Sequence, residues 1–280
     1  YDRVQITATR REALSGMLDP IDPMGLADLI ADSLELVAGL EQRGRQLTMR
    51  NQQALLVSNA LEQISTGQQR SLRPLLQLVE ESLSRPYVAL DPGVTRTEEL
   101  EAAGLRSAAS LAQALESAEL IARWSPGESL TIRRQRSLAA WLQDLGGWRS
   151  ASQRSQDQVR QEGPRRLPPH HPATGAAMIL GLDDAPSELS LLVGAHHERC
   201  DGSGFPQHLR EPRVSAAALE LALAVRWSEL TLDPLTTQIA TESGWSRLVV
   251  AGVRLWPEVR RGAFPLSLVR DRLELLQTGL

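Results

Sequence analysis

The chain has 280 residues, 42 % of them hydrophobic, enough for one large or two modest domains with a sizeable core. A formal net charge of −4 and a pI near 5.8 leave no nucleic-acid footprint, so no DNA partner is expected. Every basic residue is arginine, which excludes lysine as a catalyst or phosphate clamp and leaves any phosphate contact to the bidentate guanidinium.

Cys200 is the single cysteine, so no internal disulfide can form; a reducing, cytoplasmic setting is expected. No run of 18 apolar residues and no signal peptide is visible, so no membrane segment is expected within this chain. A start at Tyr1 rather than Met reads as a piece of something longer.

The hydrophobic pattern is helical nearly throughout, which predicts an all-α fold. Leu26, Leu29, Ile30, Leu34, Val37 and Leu40 recur at helical spacing, and Asp22-Pro23 supplies an N-cap and first-turn proline. Further helices are expected over about Met49–Ile64 and Leu72–Leu83. Ser84–Val94, with two prolines and a glycine, reads as a connector, giving a smaller helical region over 1–94 and a main domain over 95–280. After it, helices are expected near Thr97–Arg123, Thr131–Leu145, His171–Leu180 and Ser187–His196. The polar stretch Arg149–Pro169 between them reads as a long loop. The last expected helices are Ser215–Leu230, Pro234–Glu242, Trp245–Leu255 and Leu266–Leu276, with Asp233-Pro234 repeating the cap signal. The amphipathic N-terminal helices suit core packing, dimer packing or signal relay, and periodicity does not separate these.

The most informative segment is His196-His197-Glu198-Arg199-Cys200-Asp201-Gly202-Ser203-Gly204-Phe205-Pro206. It resembles the HHExxDGxGYP signature of the HD-GYP family, bacterial metal-dependent phosphodiesterases that hydrolyse cyclic di-GMP. Phe205 stands at the signature tyrosine, keeping the ring and losing the hydroxyl. Glu198, Asp201, Gly202, Gly204 and Pro206 all match. His171-Pro172, followed by Gly175, resembles the family's His-Pro segment, and Trp141–Gly147 occupies the place of its LHDIGK-like segment.

The resemblance implies a helical HD-GYP-like domain with a metal site of histidines and aspartates, a donor set suited to Fe, Mn or Zn. Asp144, His171, His196 and His197 match ligand positions. Gln143 stands where the histidine of the His-Asp pair belongs, and Arg226 where the late aspartate belongs. The early histidine has no counterpart, because no His precedes His170. Arginine cannot coordinate a metal. No catalytic residue is therefore expected, with Asp144 the retained family position, and the cofactor expectation is none, or at most one Zn, Fe or Mn on the residual ligands. Hydrogen-bonded core histidines are the alternative reading of the same side chains.

Other expectations follow. Arg226 would neutralise Asp144 as an internal ion pair. Arg165 and Arg166 would grip phosphates or solvate a loop, Cys200 would pack, and Glu198 or Asp201 would be able to complete an unorthodox site. The expected function is a catalytically inactive HD-GYP-like regulatory module in bacterial signalling. It would bind a partner such as a diguanylate cyclase domain, or cyclic di-GMP, and a homodimer is a further expectation. A weak metal-dependent phosphodiesterase on a reduced ligand set and a structural oligomerisation module are the alternatives.

Overall fold

The computed structural model describes residues 35, 37, 38, 48–84, 96–102, 108–152 and 167–278. The regular elements among these residues are all helical, and the β-type pairing among them is one isolated bridge between Asp201 and Arg210. The all-α expectation holds.

Two compact units divide the chain, Tyr1–Arg50 and Asn51–Leu280. In the first, residues 35, 37, 38 and 48–50 are helical. Most of the expected helix over Leu26–Leu40 and nearly all of the connector over Ser84–Val94 lie outside the described residues. The boundary expected near residue 94 lies outside the described residues. Helix α1 (51–65) turns Ala54, Val57, Leu61 and Ile64 inward at helical spacing. Helix α2 (Arg73–Leu83) opens on Pro74 and buries Leu75, Leu78 and Val79. The Ser71 hydroxyl and the Leu72 N–H donate to the two carboxylate oxygens of Asp184, both at 2.7 Å, which ties this segment to the later part of the same unit.

Helices α3 (Arg96–Ala102) and α4 (Ala108–Trp124) stand where one long helix was expected, with 103–107 outside the described residues. The helix expected over Thr131–Leu145 is broken in two, α5 (Leu130–Leu142) and α6 (Leu145–Ser152). The turn between them contains Asp144, whose carbonyl accepts the Gly147 N–H at 2.8 Å. Gly146 then lies against the backbone of His171 and Gly175 in α7 (His171–Leu180), where any Cβ would overlap them. That approach seats α6 directly on α7. The first part of the expected loop over Arg149–Pro169 is helical, since α6 runs to Ser152, and 153–166 lie outside the described residues.

Helix α8 (Ser187–Gly194) leads into the signature loop, and α9 (Ala216–Leu232), α10 (Pro234–Ser243), α11 (Arg247–Arg260) and α12 (Leu266–Thr278) complete the unit. Side chains fix their starts. Ser215, Asp233 and Ser246 accept the N–H groups of Ala218, Leu235 and Val249. Gly244, at φ 73°, stops α10 in the left-handed conformation that glycine tolerates. Helix α11 continues past the expected stop at Leu255 to Arg260, through Pro257.

The core centres on α9, buried on almost every side, with α4 and α5 packed on it and on each other. Trp124 of α4 meets Trp227 of α9 edge-on at 5.9 Å, a contact adding about 0.5–1.5 kcal/mol to burial itself. The Trp227 ring continues onto Gly252 of α11, which leaves room for it. Among the described residues, no helix is long and apolar enough to cross a membrane.

Candidate metal centre

The site gathers at the junction of α5–α6, the start of α7 and the end of α8. The α5–α6 turn presents Asp144, α7 begins on His171, and the turn after α8 carries His196 and His197. Each of these four offers one ligand atom, and all four atoms lie within 4.8 Å of one another. Asp144, His171 and His196 are buried, and His197 is partly so.

Backbone carbonyls fix the two inner imidazoles. His171 Nδ1 is 2.8 Å from the Pro168 oxygen, and His196 Nδ1 is 2.6 Å from the Val193 oxygen. A carbonyl only accepts, so each neutral ring carries its proton on Nδ1 and turns a lone pair at Nε2 into the site. Those Nε2 atoms are 3.1 Å apart, and Asp144 Oδ1 lies 3.3 Å from one and 3.9 Å from the other. Three acceptors converge with no donor between them. Only a proton or a cation can hold such a group together. Burial, with Asp144 opposing, pushes the His196 pKa down to about 4, which disfavours a proton on that ring. A tetrahedral Zn site with N ligands has donor–donor edges of about 3.3 Å, near the 3.1 and 3.3 Å separations and shorter than the 3.9 Å one. The donor set fits a divalent ion, and the carbonyl-backed imidazoles are the outer support such sites use.

His197 completes the set from one side. Its ring centroid is 4.2 Å from that of His196, and Phe205 stacks on it at 4.4 Å and 23°. Burial holds its pKa far below the ordinary value, helped by the neighbouring His196 and His171 and by the charges of Arg199 and Arg226.

Several expectations are corrected here. Arg226 does not pair with Asp144. Its Nε and Nη1 donate to Glu258 and Glu229 at 2.7 and 2.9 Å, and Nη2 lies 2.6 Å from the same Glu258 oxygen. Burial lowers the Arg226 pKa, and the two carboxylates more than offset this, so the guanidinium stays a fixed cation beside His197. Asp144 Oδ1 instead faces the Nε2 atoms of the two histidines. Glu198 and Asp201 do not extend the ligand set. The fully buried Glu198 carboxylate accepts the N–H groups of Gln207 and Leu209, at 2.7 and 2.9 Å. Asp201 Oδ1 accepts the N–H and hydroxyl of Ser203.

These two acids instead shape the signature loop. Gly202 sits at φ +75°, and Gly204 presses on the backbone of residues 197–199, where a Cβ would come 2.5 Å from Arg199 N. Pro206 follows Phe205, and the loop lays the Phe205 ring on His197. Cys200 packs beside the core with its thiol pKa raised by burial, which fits the packing role. Gln143 is fully buried, and neither amide atom has a hydrogen-bond partner among the described residues. Arg165 and Arg166 lie outside the described residues.

Some contributors were not expected from sequence. Glu229, three residues after Arg226 on α9, was legible as a helical ion pair. Glu258 lies 32 residues away, and the Pro168 and Val193 carbonyls are backbone groups, so neither left a local signal.

The family's sequence model for the HD domain matches residues 25–243. The chain belongs to the HD domain family. HD domains bind divalent metals, and the His/Asp cluster sits within the matched span. A solved structure of the same fold is Bd1817, an HDG"Y"P protein from Bdellovibrio bacteriovorus. It is 14 % identical, with a TM-score of 0.50 over 79 % of this chain and 69 % of that one. No curated protein matches the chain. The domain is thus a member of the HD domain family that shares the fold of Bd1817.

Proposed function

We propose that this HD-GYP-like domain is a catalytically inactive regulatory module in bacterial signalling that works by binding, to a partner protein such as a diguanylate cyclase domain or to cyclic di-GMP. The observation that carries this reading is Arg226. At the position where the resemblance places a metal-binding aspartate, all three guanidinium nitrogens are engaged by Glu229 and Glu258. A cation locked beside His197 repels a second metal ion there. Gln143, buried and with no amide partner among the described residues, stands where a ligand histidine belongs and points the same way.

Asp144, His171, His196 and His197 would hold a single ion, Zn, Fe or Mn. A bound ion of this kind supplies Lewis acidity and lowers the pKa of a bound water. In this chain the carbonyls of Pro168 and Val193 orient the imidazoles, Asp144 would offset the ion's charge, and Phe205 stacks on His197. With one ion the site is a rigid post beneath the well-formed signature loop. We infer a cytoplasmic setting from the single cysteine, which leaves no internal disulfide.

A second reading, a weak phosphodiesterase on these four ligands, draws on the same convergence of donors. The test is incubation of the chain with cyclic di-GMP and Mn²⁺ or Fe²⁺, following linear dinucleotide by chromatography, beside calorimetric titration of the same nucleotide. No product is expected. Turnover abolished by His196→Ala would overturn the inactive reading.

A further inference from the structure

The Gln143 side chain is wholly buried, yet its amide oxygen and its amide nitrogen both lack a hydrogen-bond partner among the described residues. An amide taken out of water without partners costs the fold the hydration of a donor and of an acceptor. Methionine fills nearly the same volume without that cost, so packing alone gives no reason for glutamine here.

The place of the residue points to the missing partner. Gln143 closes α5 with helical angles, φ −50° and ψ −44°, so the periodicity of the helix runs through it. Seven residues earlier on the same face, Arg136 meets Glu220 of α9 at 2.7 Å, which turns this face toward α9. Helix α5 also packs on α8, and the turn after α8 carries the wholly buried His196. The next residue in the chain is Asp144. Gln143 therefore stands at the junction where Asp144, His171 and His196 already turn three acceptors inward with no donor between them. Its amide oxygen is one more lone pair there without a partner.

We propose that Gln143 Oε1 is a fifth donor to the ion held by Asp144, His171, His196 and His197, with Nε2 left to donate to the Asp144 carboxylate. This rests on the single-ion reading above and adds a metal preference to it. Three imidazoles and one carboxylate alone make the four-coordinate set that zinc favours. A further oxygen of carbonyl type raises the coordination number and widens the choice toward Mn. The amide is neutral, so it adds this oxygen without adding charge to a buried site.

The test is calorimetric titration of the whole chain with Zn²⁺ and with Mn²⁺, beside melting temperatures, for the parent, Gln143→Met and Gln143→Glu, with His196→Ala as the control for the site. Stripped of metal, Gln143→Met should melt a few degrees above the parent, because the orphaned amide is gone. Its Mn²⁺ affinity should fall about tenfold or more, and its Zn²⁺ affinity by less. Gln143→Glu should move both readouts the other way: a lower metal-free melting temperature, from a second buried carboxylate beside Asp144, and tighter binding of both ions. Co²⁺ reports the ligand number directly, and its visible bands should strengthen from the five-coordinate to the four-coordinate pattern on Gln143→Met. An amide with a packing role only would shift melting and leave these alone. Affinities and Co²⁺ spectra equal to the parent's in both variants therefore overturn the proposal and leave the ion site standing. A parent that binds no ion, or binding that survives His196→Ala, overturns the single-ion reading and this proposal with it.

Discussion

His171 Nε2 and His196 Nε2 face each other at 3.1 Å, and each ring is held from behind by a backbone carbonyl. The arrangement fixes which nitrogen is free before any ligand arrives. With Asp144 Oδ1 at 3.3 Å from the first, the site spends its geometry on presenting acceptors, and a divalent ion is the partner that relieves their mutual repulsion.

Protein purified without chelator should therefore carry up to one Zn, Fe or Mn per chain, read by elemental analysis. His196→Ala should abolish it. Zinc at a hundredfold excess over its dissociation constant should stabilise the fold by about 2.7 kcal/mol, several degrees in melting temperature for a unit of this size. A metal-free chain whose melting ignores added Zn, Fe and Mn would remove the site from consideration.

Arg226 gives a sharp contrast between two pairings. Arg226→Ala strands the carboxylates of Glu229 and Glu258 and should cost about 1–3 kcal/mol. In a double-mutant cycle by urea denaturation, Arg226→Ala and Glu258→Ala should couple by about 1 kcal/mol. Arg226→Ala and Asp144→Asn should add to within about 0.5 kcal/mol, since the two side chains take different partners. Strong coupling with Asp144 instead would restore the ion pair expected from sequence.

The signature loop hangs on Glu198. Glu198→Ala leaves the N–H groups of Gln207 and Leu209 without their acceptors and should cost about 3 kcal/mol or more. Glu198→Gln keeps one acceptor oxygen and should cost less, and neither change should alter metal content. Loss of metal in Glu198→Gln, with the fold intact, would make Glu198 a ligand and contradict its role as loop anchor.

The sequence was legible where chemistry is local. His171, His196, His197 and Asp144 were picked out by motif, and the structure brings all four together. The helix opened by Asp233-Pro234 begins where its cap predicts, and the helix expected from Ser215 starts one residue on, at Ala216. Periodicity failed at Gln143–Asp144, because apolar residues continue on both sides of the turn. The break follows from the contact of Gly146 with α7, a tertiary fact. Arg226 was read by its family position, which names the lost ligand but not the new partner. Glu258 reaches it only because α11 packs on α9.

Asp233 links the capping of α10 to acid stability. Its carboxylate accepts the Leu235 N–H at 2.8 Å and pairs with Arg254 at 3.0 Å. Burial raises its pKa, but the Arg254 bond and the backbone amides outweigh this, and the net shift is below the ordinary 3.8. A carboxyl depressed in the folded state contributes stability above its unfolded pKa and loses it as pH falls through the folded value. Asp233→Asn keeps the capping oxygen and removes the charge. At pH 6 it should therefore be less stable than the parent, by under about 1 kcal/mol because the side chain is partly exposed to solvent. The gap should close as the pH is taken well below the ordinary aspartate value. Asp233→Ala should add a loss of about 1 kcal/mol from the missing cap, and this part should persist in acid through the unsatisfied Leu235 amide. Urea titrations of the three proteins across that pH range separate the two contributions, and an Asn gap that widened toward acid would show that the Arg254 pair is not what depresses the carboxyl.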